Sequence, residues 1–407
     1  MLKIFKLSGI YLTFSLISSI VGFLVLPIIS NYIDVKNFGI LATYIVMMSG
    51  LLPALIGFSL HSIITRSYNI RDDVNSMIFS SYVFSFIMTV LVSILLYLIS
   101  ENIKLNDTWS FNNLIILIWI SYISFIAIFN LTLIQLEGKA LIWGITSFLS
   151  LVVGVSFTFI LLFNTELDFL ARIYGIGLNS FTSVIITVYY LKNKIDVNLI
   201  LFKNHSKYFF KLGIPLLITA IFSWFLINQG RFFIEYYLDL EQLGIYSMAF
   251  TLASPLLVVS VAIGRAWLSM GYKFLKDKEY NKYMLNASYL ILILFILGLL
   301  NSFIGKYIYS FMIDEKYYES FVYIPYFSIV FFIMGVEKFI LPVLLHFEKV
   351  KLFTYLNVIG AILSAIILFY FVDSYGLYVV VFTSIFIHFM ITFCVFYYIK
   401  REGFLDD

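Results

Sequence analysis

Apolar side chains dominate this chain in runs of about twenty or more, broken by short polar segments at fairly even intervals. A bilayer core of about 30 Å needs roughly 20 apolar residues per crossing helix. Twelve stretches approach or exceed that length: 7–30, 38–60, 76–99, 113–136, 140–163, 170–191, 211–235, 242–265, 283–304, 320–344, 351–372 and 376–399. The alternating polar and apolar strands of an outer-membrane barrel are absent from the pattern. The predicted class is therefore an all-α polytopic membrane protein with twelve transmembrane helices.

A repeat organises these helices. Tyr32-Ile33-Asp34-Val35-Lys36-Asn37-Phe38-Gly39-Ile40 returns 205 positions later as Tyr237-Leu238-Asp239-Leu240-Glu241-Gln242-Leu243-Gly244-Ile245. The first copy joins spans one and two, and the second joins spans seven and eight. The chain thus reads as two six-helix bundles, residues 1–191 and 211–407, joined by a basic linker at 192–210. Six is even, so the repeat is parallel, with its axis along the membrane normal and a central cavity expected between the bundles.

Composition agrees: 62% of residues are hydrophobic, 12% are charged, and mean hydropathy is +1.00. Lys and Arg then set the orientation, because positive loops resist translocation. With the N-terminus in the cytoplasm, nineteen of the 26 fall in inside segments and five outside, while Arg231 and Lys338 lie within spans. Both termini are predicted to be cytoplasmic. Lys3 and Lys6 precede the first span, but that span is too long for a signal peptide and Ile28-Ile29-Ser30 offers no small-x-small cleavage site. Cys394 stands alone, so no intrachain disulfide is possible.

The loops leave little room for catalysis. No outer segment exceeds about sixteen residues, too few for the folded extracytoplasmic domain expected of a polymerase or glycosyltransferase. Gly138-Lys139-Ala140 fails as a phosphate-cradling loop, and His61, His205, His346 and His388 are scattered without ligand spacing. No enzyme, metal site, cofactor or nucleic-acid partner is predicted. Transport is the default, with membrane lipids as surroundings.

Charges inside spans cost about 3 kcal/mol each, so each is a candidate for function. Arg231 lies toward the outer end of span seven beside Asn228 and Gln229, and it reads either as functional or as snorkelling to headgroups. Lys338 is close enough to a span end to snorkel, whereas Glu337 has a short stem and is a candidate ion-coupling group. His61, Arg66 and Arg265, near matching ends of spans two and eight, form either a basic mouth or a positive-inside anchor. Pro27, Pro53, Pro215 and Pro255 fall in spans one, two, seven and eight, where kinks would suit gating helices. Pro53 and Pro255 sit at nearly matching depths, which predicts paired bends. Asn130, Gln135, Asn179, Asn301 and Asn357 read as interhelical hydrogen-bonding groups, and Gly175 and Gly177 as a close-packing site.

Gly213-Ile214-Pro215-Leu216-Leu217, Ser223-Trp224-Phe225, Gly230-Arg231-Phe232-Phe233-Ile234 and Leu243-Gly244-Ile245-Tyr246 resemble helices seven and eight of the polysaccharide exporters of the multidrug/oligosaccharidyl-lipid/polysaccharide (MOP) superfamily, the Wzx-type flippases. Residues 308–321, with Tyr317-Tyr318, are similar too. In that family an Asp usually precedes the basic residue near the end of helix seven; here Gly230 stands there. The resemblance implies a bacterial cytoplasmic (inner) membrane flippase that moves undecaprenyl-pyrophosphate-linked oligosaccharide, an O-antigen or other surface-polysaccharide unit, to the outer leaflet. A polysaccharide polymerase and chain-length machinery are the implied partners. Arg231, Arg265 and Arg66 are the expected diphosphate ligands. The alternatives are a multidrug or cation antiporter of the same superfamily, which should carry an acid in its first helix where 7–30 has none, and a non-transporting assembly scaffold.

Overall fold

A computed structural model describes residues 2–68, 70–102 and 109–404. Among the described residues the chain is helical throughout, with no β-strand. Eleven helical segments are long and apolar enough to cross a membrane. The last, Lys351–Arg401, has 51 residues, about 75 Å at 1.5 Å per residue and more than twice the hydrocarbon thickness. Its continuity breaks at Gly376, whose φ of 61° and ψ of −147° belong to a region open essentially to glycine alone.

Two compact units form: Met1–Val25 with Ile40–Ile221, and Leu26–Gly39 with Phe222–Asp407. The partition drawn from loop charge at 192–210 differs in two ways. The units part inside the helix Phe202–Tyr237, and 26–39 packs with the second unit. Charge reports where loops lie, whereas compactness reports what the helix faces bury.

The first unit shows why this is a membrane fold. On Val74–Asn102 the hydroxyl side chains Ser81, Ser85 and Thr89 are buried, while Leu91, Leu95 and Leu98 are more than half exposed. A soluble helix has the opposite polarity. In lipid, leucine faces acyl chains and small hydroxyl residues let helices approach. The buried hydroxyls donate back to the helix: Ser81 Oγ to the Met77 carbonyl at 2.9 Å and Thr89 Oγ1 to Ser85 at 2.7 Å. The anticipated small-residue crossing is present where Ala140–Asn164 meets Phe169–Leu191, since a Cβ added at Gly154 would lie 2.6 Å from the Gly175 carbonyl oxygen. Asn130 bridges three helices, accepting from the Tyr82 hydroxyl at 2.5 Å and donating to Thr187 at 3.0 Å.

The expected single helix over 38–60 is instead Val35–Val46, a π-turn at Met47–Leu51, Leu52–Gly57 and Leu60–Ser67. Pro53 starts the segment after the π-turn, and Phe58 and Ser59 both take left-handed conformations, at φ 48° and 57°. The last segment is amphipathic, burying Leu60, Ile63, Ile64 and Ser67. Pro27 follows a similar interruption, between Leu2–Leu24 and Leu26–Tyr32.

In the second unit the repeated phrase packs against itself. Equivalent glycines meet, and a Cβ on Gly39 would lie 2.7 Å from the Gly244 backbone nitrogen. Equivalent aspartates cap equivalent turns, Asp34 accepting from the Asn37 N–H and Asp239 from the Gln242 N–H, each at 2.7 Å. The 3₁₀ segment Glu315–Tyr323 covers the first copy: the buried Tyr317 hydroxyl lies 2.8 Å from the Ile33 carbonyl and 3.0 Å from that of Asp34.

Pro255 lies inside Leu240–Lys276, a helix of 37 residues that continues through it. Proline strips the Thr251 carbonyl of its usual donor, and the Ser254 hydroxyl replaces that donor at 2.7 Å. Pro215 likewise lies inside an unbroken helix, Phe202–Tyr237.

Candidate functional site

Arg231 is 2% exposed, which removes the snorkelling alternative. Its Nη1 donates to Asn228 Oδ1 at 3.0 Å, one helical turn back. The guanidinium carbon stands 4.5 Å from the Phe250 ring centre and 5.6 Å from that of Tyr246. Phe250 and Tyr246 are themselves held edge-on by Phe327, and Phe250 also by Phe331. Arg231 Nε has no hydrogen-bond partner, and neither amide atom of the adjacent, 1%-exposed Gln229 has one.

No carboxylate pairs with this cation among the described residues. Burying an unpaired ion costs several kcal/mol, whereas desolvated cation–π contact returns about 2 and one charged hydrogen bond about 1.5–3. The surplus cost is what a bound anion would offset. Gly230 is explained by the same cage: a Cβ there would lie 2.5 Å from Val380 Cγ1 and 3.2 Å from the Tyr246 hydroxyl. The Asp that the resemblance leads one to expect at this position has no room.

Glu337 and His388 form the second buried polar group. Glu337 Oε1 lies 3.0 Å from His388 Nδ1, and the two are 8% and 4% exposed. Thr392 donates to the same oxygen at 3.5 Å. Sequence singled out Glu337 alone, because nothing local marks His388, 51 residues away, as its partner. Lys338, next in sequence, lays its stem across Leu240–Lys276, where a Cβ on Gly264 would lie 2.9 Å from Lys338 Cβ. His61 and Arg66 are exposed on Leu60–Ser67 of the first unit, and Arg265 is exposed on Leu240–Lys276 of the second.

Two features of the first unit had no sequence signal. Arg71 grips Asp73 in bidentate fashion, Nε to Oδ1 at 2.8 Å and Nη2 to Oδ2 at 2.7 Å, with His205 Nε2 3.0 Å from Oδ2. Arg71, then His205, holds the Asp73 carboxyl well below the usual carboxylate range. His205 Nδ1 meets the buried Ser80 hydroxyl at 2.8 Å, and Arg71 stacks over Tyr208 at 4.9 Å, fixing the start of Phe202–Tyr237. The other is a cavity of about 360 Å³ edged by Ser49, Ser124, Ser147, Ser150, Asn179 and Ser183. The hydroxyls of Ser150 and Ser183 have no partner. Ile45, Met48, Ile128, Leu131, Leu151 and Ile176 make most of the remaining wall, so the cavity is largely apolar, with hydroxyl and amide groups at its edge and no charged side chain. No cluster of His, Cys, Asp and Glu among the described residues could hold a metal.

Comparison with known proteins gives the family and the fold. Residues 5–268 match a family described as "Polysaccharide biosynthesis protein". The Lsg locus protein 1 of Haemophilus influenzae is 26% identical over 285 residues, covering 68% of each chain. The fold is similar to that of the lipid II flippase MurJ in an inward closed conformation, with a TM-score of 0.77 and 14% identity over 97% of this chain and 89% of that one. It is also similar to an inward-facing multidrug-resistance MATE transporter of the MOP superfamily, with a TM-score of 0.73 and 12% identity over 97% and 98% of the two chains.

Proposed function

The chain belongs to the polysaccharide biosynthesis protein family, and from that premise we propose that it is a MOP-type flippase for undecaprenyl-pyrophosphate-linked oligosaccharide. The lipid-linked substrate enters from the cytoplasmic leaflet of the bacterial inner membrane and leaves in the outer leaflet. Twelve crossings with both termini in the cytoplasm fit this reading, the break at Gly376 dividing the last long helix into two.

One observation carries the proposal: Arg231 is a buried cation with an unsatisfied Nε and no acidic partner among the described residues. A diphosphate supplies the missing charge and acceptors, and guanidinium–phosphate pairing is directional and strong. Because Phe250 and Tyr246 cover the guanidinium here, these rings must move when substrate arrives. The exposed Arg66 and Arg265 are proposed as contacts for the phosphates at other stages of the cycle.

The test is complementation of a host lacking its own flippase. Arg231→Gln is expected to abolish surface polysaccharide and leave lipid-linked oligosaccharide accumulating, with unchanged protein level in the membrane. Full complementation by Arg231→Gln would defeat the assignment. The likeness to MATE transporters makes drug export the second reading. Drug resistance that survives Arg231→Gln, with no effect on polysaccharide, would favour it.

A further inference from the structure

Glu337 sits in the middle of Ile324–His346, and His388 on Val350–Arg401 faces it. The ionisable groups nearest in sequence or on the facing helices have other surroundings. Lys338 points about 100° away around the helix and lies along Gly264. Tyr283 donates to the Phe339 carbonyl, as does the Trp267 indole at 3.3 Å. Arg265 is exposed, Arg231 is held by Asn228, and His346 packs edge-on against Tyr272. Thr392 is the one other side chain hydrogen-bonded to Glu337 Oε1 among the described residues.

We infer that Glu337 and His388 together form a proton-binding site whose loading and unloading drives the transport cycle. With one shared proton the pair is neutral overall; without it the pair carries a net negative charge. In a low-dielectric bundle the neutral form is far easier to bury, so each protonation state favours a different helix arrangement. The coupling half of this inference rests on the proposed flippase activity, whereas the proton-binding half does not.

The donor set selects the proton over sodium. A hard alkali cation wants a shell of about six oxygens, and the side chains here offer the two oxygens of the Glu337 carboxylate, Thr392 Oγ1 and an imidazole nitrogen. A cavity of about 10 Å³ beside the pair, lined by Glu337, Leu341, Thr392 and Val395, has room for about one water. That is enough for a proton to hop and too little for a hydrated ion. Thr392 also borders a second cavity of about 300 Å³ with Tyr283, Met284 and Ser288, so the pair is one residue away from a larger space.

The chain has four histidines, so ¹⁵N-histidine NMR of the full-length protein in lipid nanodiscs can follow each ring, with His388→Gln assigning the signal. The His388 ring is expected to gain and lose a proton across a pH series, and Glu337→Gln to change that response. A ring that does not titrate, or a response unchanged in Glu337→Gln, overturns the proton site whatever the protein transports. In proteoliposomes, one unit of imposed pH difference is expected to change translocation of lipid-linked oligosaccharide by roughly tenfold in the parent. Glu337→Gln and His388→Gln should each lose that response. The exchanged pair Glu337→His with His388→Glu should restore it, which separates coupling from misfolding. A parent driven by a sodium gradient and indifferent to pH would overturn the coupling. Absence of flipping in the parent, with the NMR result intact, would count against the flippase reading alone.

Discussion

Arg231 and Glu337 are both ionisable side chains buried in the second unit, and the fold treats them in opposite ways. Glu337 has a titratable partner 3.0 Å away and a hydroxyl donor beside it. Arg231 has two aromatic faces, one neutral oxygen and an unmatched Nε. A matched pair is internally complete and changes state by taking up a proton. An unmatched guanidinium cannot shed its proton at any relevant pH and changes state by meeting an anion. On the reading proposed above, that difference assigns one site to energy and the other to cargo.

The strongest way to break this comparison is to supply what Arg231 lacks. Asn228→Asp places a carboxylate where Asn228 Oδ1 already receives the guanidinium, and gives up the hydrogen bond that Asn228 Nδ2 donates to the Trp224 carbonyl at 3.0 Å. The expected outcome is a more heat-stable protein whose flipping falls by on the order of 100-fold, measured as melting temperature in detergent and as translocation in vesicles. A more active Asn228→Asp would contradict the anion-receptor role. The converse is to orphan a member of the matched pair. His388→Leu should destabilise by about 3–5 kcal/mol because it leaves Glu337 buried without its partner, and Glu337→Leu with His388→Leu should recover most of that loss in a denaturation assay.

A gentler test uses the clamp of the first unit, where a carboxylate is matched near the start of a helix. Asp73 is held below its ordinary value in the folded state, so its stabilisation is complete above the unfolded carboxylate value of about 3.9 and fades as pH falls below that. Asp73→Asn should lower the melting temperature by about 2–4 °C at pH 7, with the gap to the parent narrowing steadily below about pH 4. A gap independent of pH would show that the contact is steric. The smallest effect is expected from the caps of the repeated phrase. Asp239→Ala should cost about 1 kcal/mol, and Asp34→Ala a similar amount, since each accepts from its N3 backbone N–H at 2.7 Å.

Much of this architecture was legible beforehand. Hydropathy marked every long helix, and Gly376 stands at the join between the last two predicted spans, where the final helix breaks. The repeated phrase correctly announced that its two copies are built alike, down to the capping aspartates. At Pro255 the sequence declared the hydrogen bond that a proline removes but not its replacement, which the Ser254 hydroxyl supplies. Of the candidate site residues, Arg231, Asn228 and Gln229 were legible as charge and amides inside a span. The partnership of Glu337 with His388, and of Asp73 with His205 across 132 residues, was not.

The sequence by itself determined that this chain lives in a bilayer, how many apolar segments it offers, where its repeat falls and which costly polar groups each segment carries. Those properties are local, because the free energy of transferring a segment into hydrocarbon is a sum over its own residues. Only the tertiary structure decided which polar groups are paired and which are left wanting, because pairing depends on how each helix is rotated and what packs against it. A turn of 100° between neighbouring residues is enough to send Glu337 to a histidine and Lys338 to a glycine.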